Sequence, residues 1–223
     1  MALSWAQLMR AGSGMRVARR LGPRPEKRLE LYEFETCPFC RKVREAIQAL
    51  DLDVLVWPCP KRGTRHRPRA KRLGGRAQFP LLIDPNADLV LYESDAIVRH
   101  LFERYGRTRV PWPLGAGAAG TVLSMLAGAP HPGEGTFVVA NEAPDAPLEL
   151  YADEGSAEAR RVRARLCALE VPYVLHPMAQ GGAHEAELGR RGLHSPTLVD
   201  AASSVELCGA DAALAHLERF RAR

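Results

Sequence analysis

Residues 31–44 read LYEFETCPFCRKVR, and residues 150–163 read LYADEGSAEARRVR. Both stretches open on Leu-Tyr. Both end on two basic residues, a valine and an arginine: Arg41-Lys42-Val43-Arg44 in one, Arg160-Arg161-Val162-Arg163 in the other. The offset is 119 residues. Two further blocks recur in the same order at an offset of 116: Phe79-Pro80-Leu81-Leu82-Ile83-Asp84 against Ser195-Pro196-Thr197-Leu198-Val199-Asp200, and Leu91-Tyr92-Glu93-Ser94-Asp95-Ala96 against Leu207-Cys208-Gly209-Ala210-Asp211-Ala212. Three blocks in one order predict an internal repeat with one three-residue deletion.

Each copy reads as β-α-β-α-β-β-α. In the first, Leu29–Phe34 is apolar and aromatic enough for a buried strand. Val43, Ala46, Ile47 and Leu50 recur at helical spacing on one face. Asp53–Trp57 predicts a second strand and Arg69–Leu73 a helix stopped by Gly74-Gly75. Leu81–Ile83 and Leu89–Leu91 flank the turn Asp84-Pro85-Asn86. Ser94 is the expected cap of a last helix whose Ile97, Leu101 and Tyr105 face inward. In the second copy the strands are Leu148–Ala152 and Pro172–Leu175. Its helical stripes are Ala159, Val162, Leu166, Leu169 and Leu214, Leu217, Phe220. The expected organisation is a basic extension (1–28), a first domain (29–105), a Pro/Gly-rich linker (106–146) and a second domain (147–223). Neither copy is large enough for a sizeable core, so packing of the two together, or a homodimer, would add burial.

The chain carries a formal charge of +5 on an ordinary soluble composition, 46% hydrophobic and 26% charged. Residues 54–83 contain no acidic residue and hold Lys61, Arg62, Arg65, Arg67, Arg69, Lys71, Arg72 and Arg76. This run suits small anions or a solvated face; without a recognition motif it does not indicate nucleic acid. The basic N-terminus is read as a short helix packed on the domain, with an organelle leader as the alternative. Residues 110–133 lack charge, but their prolines and small residues indicate a linker with one short helix rather than a membrane span. Five cysteines without a secretory signal indicate a reducing compartment, taken as the cytoplasm.

Cys37-Pro38-Phe39-Cys40 sits where the first strand ends and a helix begins. A helix start offers unpaired N–H groups and partial positive charge, which stabilise a thiolate at Cys37. Arg41 and Lys42 are expected to add to this. Cys40 is one turn on, placed to resolve a mixed disulfide. Zinc would need a second C-x-x-C or a His pair, and none stands at standard spacing, so no metal site is expected. Phe79-Pro80, at the mouth of the third strand, is a candidate cis bond. Glu93 and Ser94, at a helix start, suit a ligand that bears both an ammonium and a carboxylate. Cys59 could pair with Cys37, or be a small buried residue; Cys167 and Cys208 read as core.

Together, Cys37–Cys40, Pro80 and the Glu93–Ile97 motif resemble the N-terminal, thioredoxin-like domain of glutathione S-transferases, with a glutaredoxin-type active site. The duplication resembles a bacterial and plant-plastid group with two such domains in one chain. The resemblance spans residues 29–105 strongly and 148–222 weakly. It implies an α/β chain of two tandem thioredoxin-like domains, with glutathione as co-substrate and a disulfide or glutathionylated protein as partner. It implies Cys37 as nucleophile, Cys40 as resolving thiol, Phe79 and Pro80 against the glutathione backbone, and Glu93 and Ser94 at its γ-glutamyl end. The basic run near Lys61 and Arg65 would receive the glycyl carboxylate. The all-helical transferase domain is not expected, and in the second copy Ser156, Ala159, Gly209 and Ala210 replace Cys37, Cys40, Glu93 and Ser94. The expected function is glutathione-dependent thiol–disulfide exchange. Transferase activity on small electrophiles, a glutathione-ligated iron–sulfur carrier and a non-catalytic interaction module are the alternatives.

Overall fold

The computed structural model describes residues 16–115, 133, 135–144 and 146–222. In chain order the elements are β1 (Leu29–Glu33), α1 (Pro38–Ala49), β2 (Val54–Pro58), α2 (Arg67–Gly74), β3 (Leu81–Asp84), β4 (Leu89–Tyr92), α3 (Ser94–Tyr105) and a short α4 (Trp112–Gly115). Then come β5 (Leu148–Ala152), α5 (Ala157–Ala168), β6 (Tyr173–Pro177), α6 (Ala183–Arg190), β7 (Thr197–Asp200), β8 (Val205–Cys208) and α7 (Ala210–Leu217). The helical stripe Val43, Ala46, Ile47 and Leu50 is fully buried, as its spacing requires. Helix α2 starts two residues before the expected Arg69, because Pro68 fits a first turn, where a missing N–H costs nothing. Gly75, at φ 81°, ends it by donating to Lys71 O at 2.8 Å.

Among the described residues the strands form one mixed sheet in the order β4-β3-β1-β2-β6-β5-β7-β8. β1 and β2 are parallel, as are β5 and β6; the other neighbours are antiparallel. The two halves meet where β2 pairs with β6. Leu55 stands opposite Val174, with Val54 opposite Leu175 and Val56 opposite Tyr173. One apolar cluster runs through this seam, taking in Leu31, Ile47 and Val56 from one side and Leu150, Leu166 and Leu175 from the other.

Behind the seam lies a buried ionic cluster. Arg44, fully buried on α1, reaches the loop after β5. Its Nε and Nη2 donate to the two oxygens of Glu154 at 2.9 and 3.0 Å. Arg163, on α5, reaches the loop after β1, with Nε 3.1 Å from Glu35 Oε2. The 119-residue offset carries Glu35 onto Glu154 and Arg44 onto Arg163, so the two contacts are reciprocal. Arg44 also bonds Glu33 and lies 3.2 Å from Glu35. Buried charges persist only when so paired.

Two carboxyls of this cluster, Glu154 and Glu33, are shifted in opposite directions. Burial would raise Glu154, but Arg163 and Arg44 outweigh it and hold the group at about 2, against an ordinary 4.5. Its stabilisation is therefore present above pH 4.5 and lost as pH falls toward 2. Burial dominates at Glu33 and pushes it up to about 7, so its stabilisation is present below 4.5 and lost as pH rises toward 7. Denaturant midpoints against pH should show the acid limb in the wild-type protein. Glu154→Gln should lower the whole curve and flatten that limb; a limb of unchanged depth would rule out Glu154 as its source.

The described part of the N-terminal stretch begins at Arg16. Residues 16–28 pack on the fold without forming a helix, since Gly22, Pro23 and Pro25 break one. Val17 N donates to Gln180 O at 3.1 Å and Gly22 N to Tyr105 O at 2.8 Å. A Cβ on Gly22 would come within 2.8 Å of the Tyr105 backbone, so only glycine allows this approach. Residues 1–15 and most of the uncharged 110–133 stretch lie outside the described residues. Thr136–Glu142 ties the halves from outside: Lys61 N donates to Thr136 O at 2.6 Å, Val139 N to Ala168 O at 2.9 Å and Glu142 N to Phe220 O at 2.8 Å. Among the described residues no helix is long and apolar enough to cross a membrane.

Candidate functional site

Cys37 occupies the cap position of α1, just ahead of Pro38 in the first turn. Its extended backbone leaves the sulfur over the helix start, where it accepts from Cys40 N at 3.4 Å. Both thiols are free and buried, Cys37 at 4% exposure and Cys40 at 0%. The Cys37 thiol is held below the ordinary cysteine range. The hydrogen bond from the Cys40 thiol is the largest cause. Burial opposes it, the N–H groups of Cys40 and Phe39 reinforce it, and Glu33 opposes it. Burial and the neighbouring Cys37 sulfur push Cys40 well upward. The pair is thus split into one thiol ready to ionise and one that resists.

The expected help from Arg41 and Lys42 is not found. Lys42 is buried and paired with Asp95 at the start of α3, and Arg41 Nε lies 3.6 Å from Glu154. Their charges are spent on carboxylates, and the N–H groups and the Cys40 thiol act on Cys37 instead.

The Phe79-Pro80 bond is cis, as is Ser195-Pro196. Cys37 Sγ lies 4.0 Å from Phe79 O, so the first cysteine faces the turn before β3. Gln78, in that turn, donates to Glu93 Oε1 at 2.6 Å, and Arg76 lies 3.7 Å from the same oxygen. Cys37, Phe79, Pro80 and Glu93 are thereby linked through one turn. Ser94 differs from its expected role. It stands in the first turn of α3, while Glu93 takes the cap position at φ 66° with no side-chain cap bond. That left-handed backbone aims the Glu93 carboxylate outward, where it is two-thirds exposed.

The basic run is dispersed. Arg65 donates to Pro144 O at 3.0 Å, and Lys61 and Arg62 flank the Phe137 ring. Arg67, not singled out by the sequence, lies 4.9 Å over the Phe79 ring and donates to Pro60 O at 2.7 Å. It meets the Cys37-facing turn at the Phe79 ring, as Arg76 meets it at Glu93, and its only sequence signal was membership of the run. Cys59 sits in a small apolar cluster with Tyr32, Ala70 and Leu81, its thiol pushed up by burial. Cys167 is buried, and Cys208 is half-buried on β8. Ser156 caps α5, accepting from Ala159 N at 3.2 Å.

The site pairs a helix-start cysteine with a cis-proline turn, and comparison with known proteins bears on this stretch. Residues 31–109 match the family model "Glutathione S-transferase, N-terminal domain". The chain is also similar to glutathione transferase BmGSTD1 of Bombyx mori, at 25% identity and a TM-score of 0.35 over 39% of each chain. A second structure of that transferase, in complex with GTT, is 23% identical with a TM-score of 0.35, over 41% of this chain and 45% of the other. The chain therefore spans less than half the length of these transferases. No curated protein matches it. Residues 31–109, which carry the match to the glutathione S-transferase N-terminal model, form a mixed α/β unit, and the Cys37–Glu93 turn lies within them.

Proposed function

We propose that this protein is a glutathione-dependent thiol–disulfide oxidoreductase, working through Cys37 and Cys40 in a reducing compartment. The observation that carries this reading is the Cys37 sulfur seated on a helix start, facing Phe79 O at 4.0 Å, with its thiol acidified and its neighbour's not. The residues suit glutathione. The Phe79-Pro80 turn offers backbone to a peptide, Glu93 offers a carboxylate to an ammonium, and Arg67 stands beside the turn for a carboxylate. Cys37 thiolate attacks the glutathione sulfur of a mixed disulfide. A Cys37–glutathione bond forms, and the substrate leaves as a thiolate. A second glutathione thiolate then releases oxidised glutathione and restores Cys37. Alternatively Cys40, after losing its proton, displaces glutathione and closes a Cys37–Cys40 disulfide. The second half is read as a degenerate copy of the first, with a structural role at the seam.

Thiol alkylation against pH tests this. Cys37 should react with an apparent pKa below that of an ordinary cysteine, about 8.5, and saturating glutathione should protect it. An ordinary pKa with no protection would overturn the reading. Conjugation of small electrophiles is a second reading, favoured by the family match of residues 31–109. It predicts thioether formation with no turnover of glutathione mixed disulfides.

A further inference from the structure

We propose that Asp53, His176 and His184 form a binding site for a divalent transition metal of the zinc class, set across the seam between the two halves. Asp53 immediately precedes β2 and His176 lies in β6, so the antiparallel pairing that sets Val54 opposite Leu175 brings these two side by side. His184 comes from the first turn of α6. Asp53 Oδ1 lies 3.0 Å from His176 Nδ1 and 2.8 Å from His184 Nε2. One donor atom from each residue falls within 4.8 Å of the others.

The second observation is the state of His176. It is 7% exposed, yet neither ring nitrogen has a hydrogen-bond partner. The Asp53 oxygen is near Nδ1 but out of line for a hydrogen bond, and Glu149 Oε2 is 3.6 Å from Nε2. A buried imidazole left unbonded costs free energy that a metal ion at Nδ1 would recover. The ring is also held in place. Tyr151 stacks on it at 4.4 Å between centroids and meets His184 edge-on at 5.4 Å. Two imidazoles and one carboxylate suit zinc or its neighbours in the first transition row. Magnesium and calcium prefer all-oxygen sets. Tetrahedral zinc ligands stand about 3.3 Å apart, given bonds of about 2.0 Å, so binding would contract the cluster. His184, with one-fifth of its side chain exposed, is the ligand placed to move. Because Asp53 belongs to one half and both histidines to the other, the ion would clamp the seam.

The test is titration of the full-length chain with zinc, followed by calorimetry, and with cobalt, followed by visible absorption. Both are done in a Cys37→Ser/Cys40→Ser background so that the closely spaced Cys37–Cys40 pair cannot bind the metal. One equivalent should bind, and the melting temperature should rise with zinc. His184→Ala and Asp53→Asn, at partly exposed positions that spare the core, should weaken binding by roughly 100-fold or more, since even an outer partner of a ligand is worth about 10–100-fold. Both should abolish the melting shift while leaving the circular dichroism unchanged. Absence of binding in excess metal, or binding unaltered in both variants, would overturn the proposal.

Discussion

Cys37→Ser should abolish glutathione-dependent reduction of a mixed disulfide, with a loss of roughly a thousandfold or more, because the thiolate is the nucleophile and a serine hydroxyl does not ionise near neutral pH. Cys40→Ser should behave differently. Its hydroxyl can replace the Cys40 thiol as donor to the Cys37 sulfur, and the backbone N–H at 3.4 Å is untouched. Glutathione can still resolve the intermediate, so the rate should fall by about tenfold or less. Glutathione oxidation coupled to substrate reduction reads both variants. Full activity in Cys37→Ser would remove this sulfur from the chemistry and the proposed function with it.

The second large effect concerns stability. Arg44→Met should cost about 3–5 kcal/mol, the usual loss when one partner of a buried ion pair is removed. A domain's whole stability is about 5–15 kcal/mol, so the variant should unfold at a much lower urea concentration or not fold at all. The cost arises because Arg44 serves Glu154 through two hydrogen bonds and also Glu33 and Glu35, all of them buried. Arg44→Met with Glu154→Leu removes a charge of each sign from the cluster and should regain a substantial part of the loss. A single variant within about 1 kcal/mol of wild type, the value of a surface pair, would show that the cluster does not hold the seam.

Much of this arrangement is legible in the residues. The Leu29 and Leu148 strands, the buried Val43–Leu50 stripe and the short β3 and β4 strands follow from periodicity and turn residues, which act locally. The seam does not. Val54–Val56 and Tyr173–Leu175 read as buried strands, and an apolar run carries no instruction about which neighbour it will pair with. Arg44 and Arg163 look like surface residues on a helix. Their burial becomes intelligible only once each is seen to face a carboxylate from the other half. The same distance in sequence hid the Asp53–His176–His184 cluster, since metal spacing rules describe ligands close along the chain. At the thiols, position was readable from the helix start, but the partners of Arg41 and Lys42 were not, because Asp95 and Glu154 arrive from other elements.

The reciprocity of Arg44 with Glu154 and Arg163 with Glu35 has a topological corollary. Each half presents both the donor and the acceptor of the same handshake, as the protomers of a twofold dimer do. Nothing in that contact distinguishes halves of one molecule from halves of two. What keeps the match internal is tethering, which holds the halves at a high effective concentration. Lengthening or cutting the tether would leave the handshake intact and change only who shakes hands with whom.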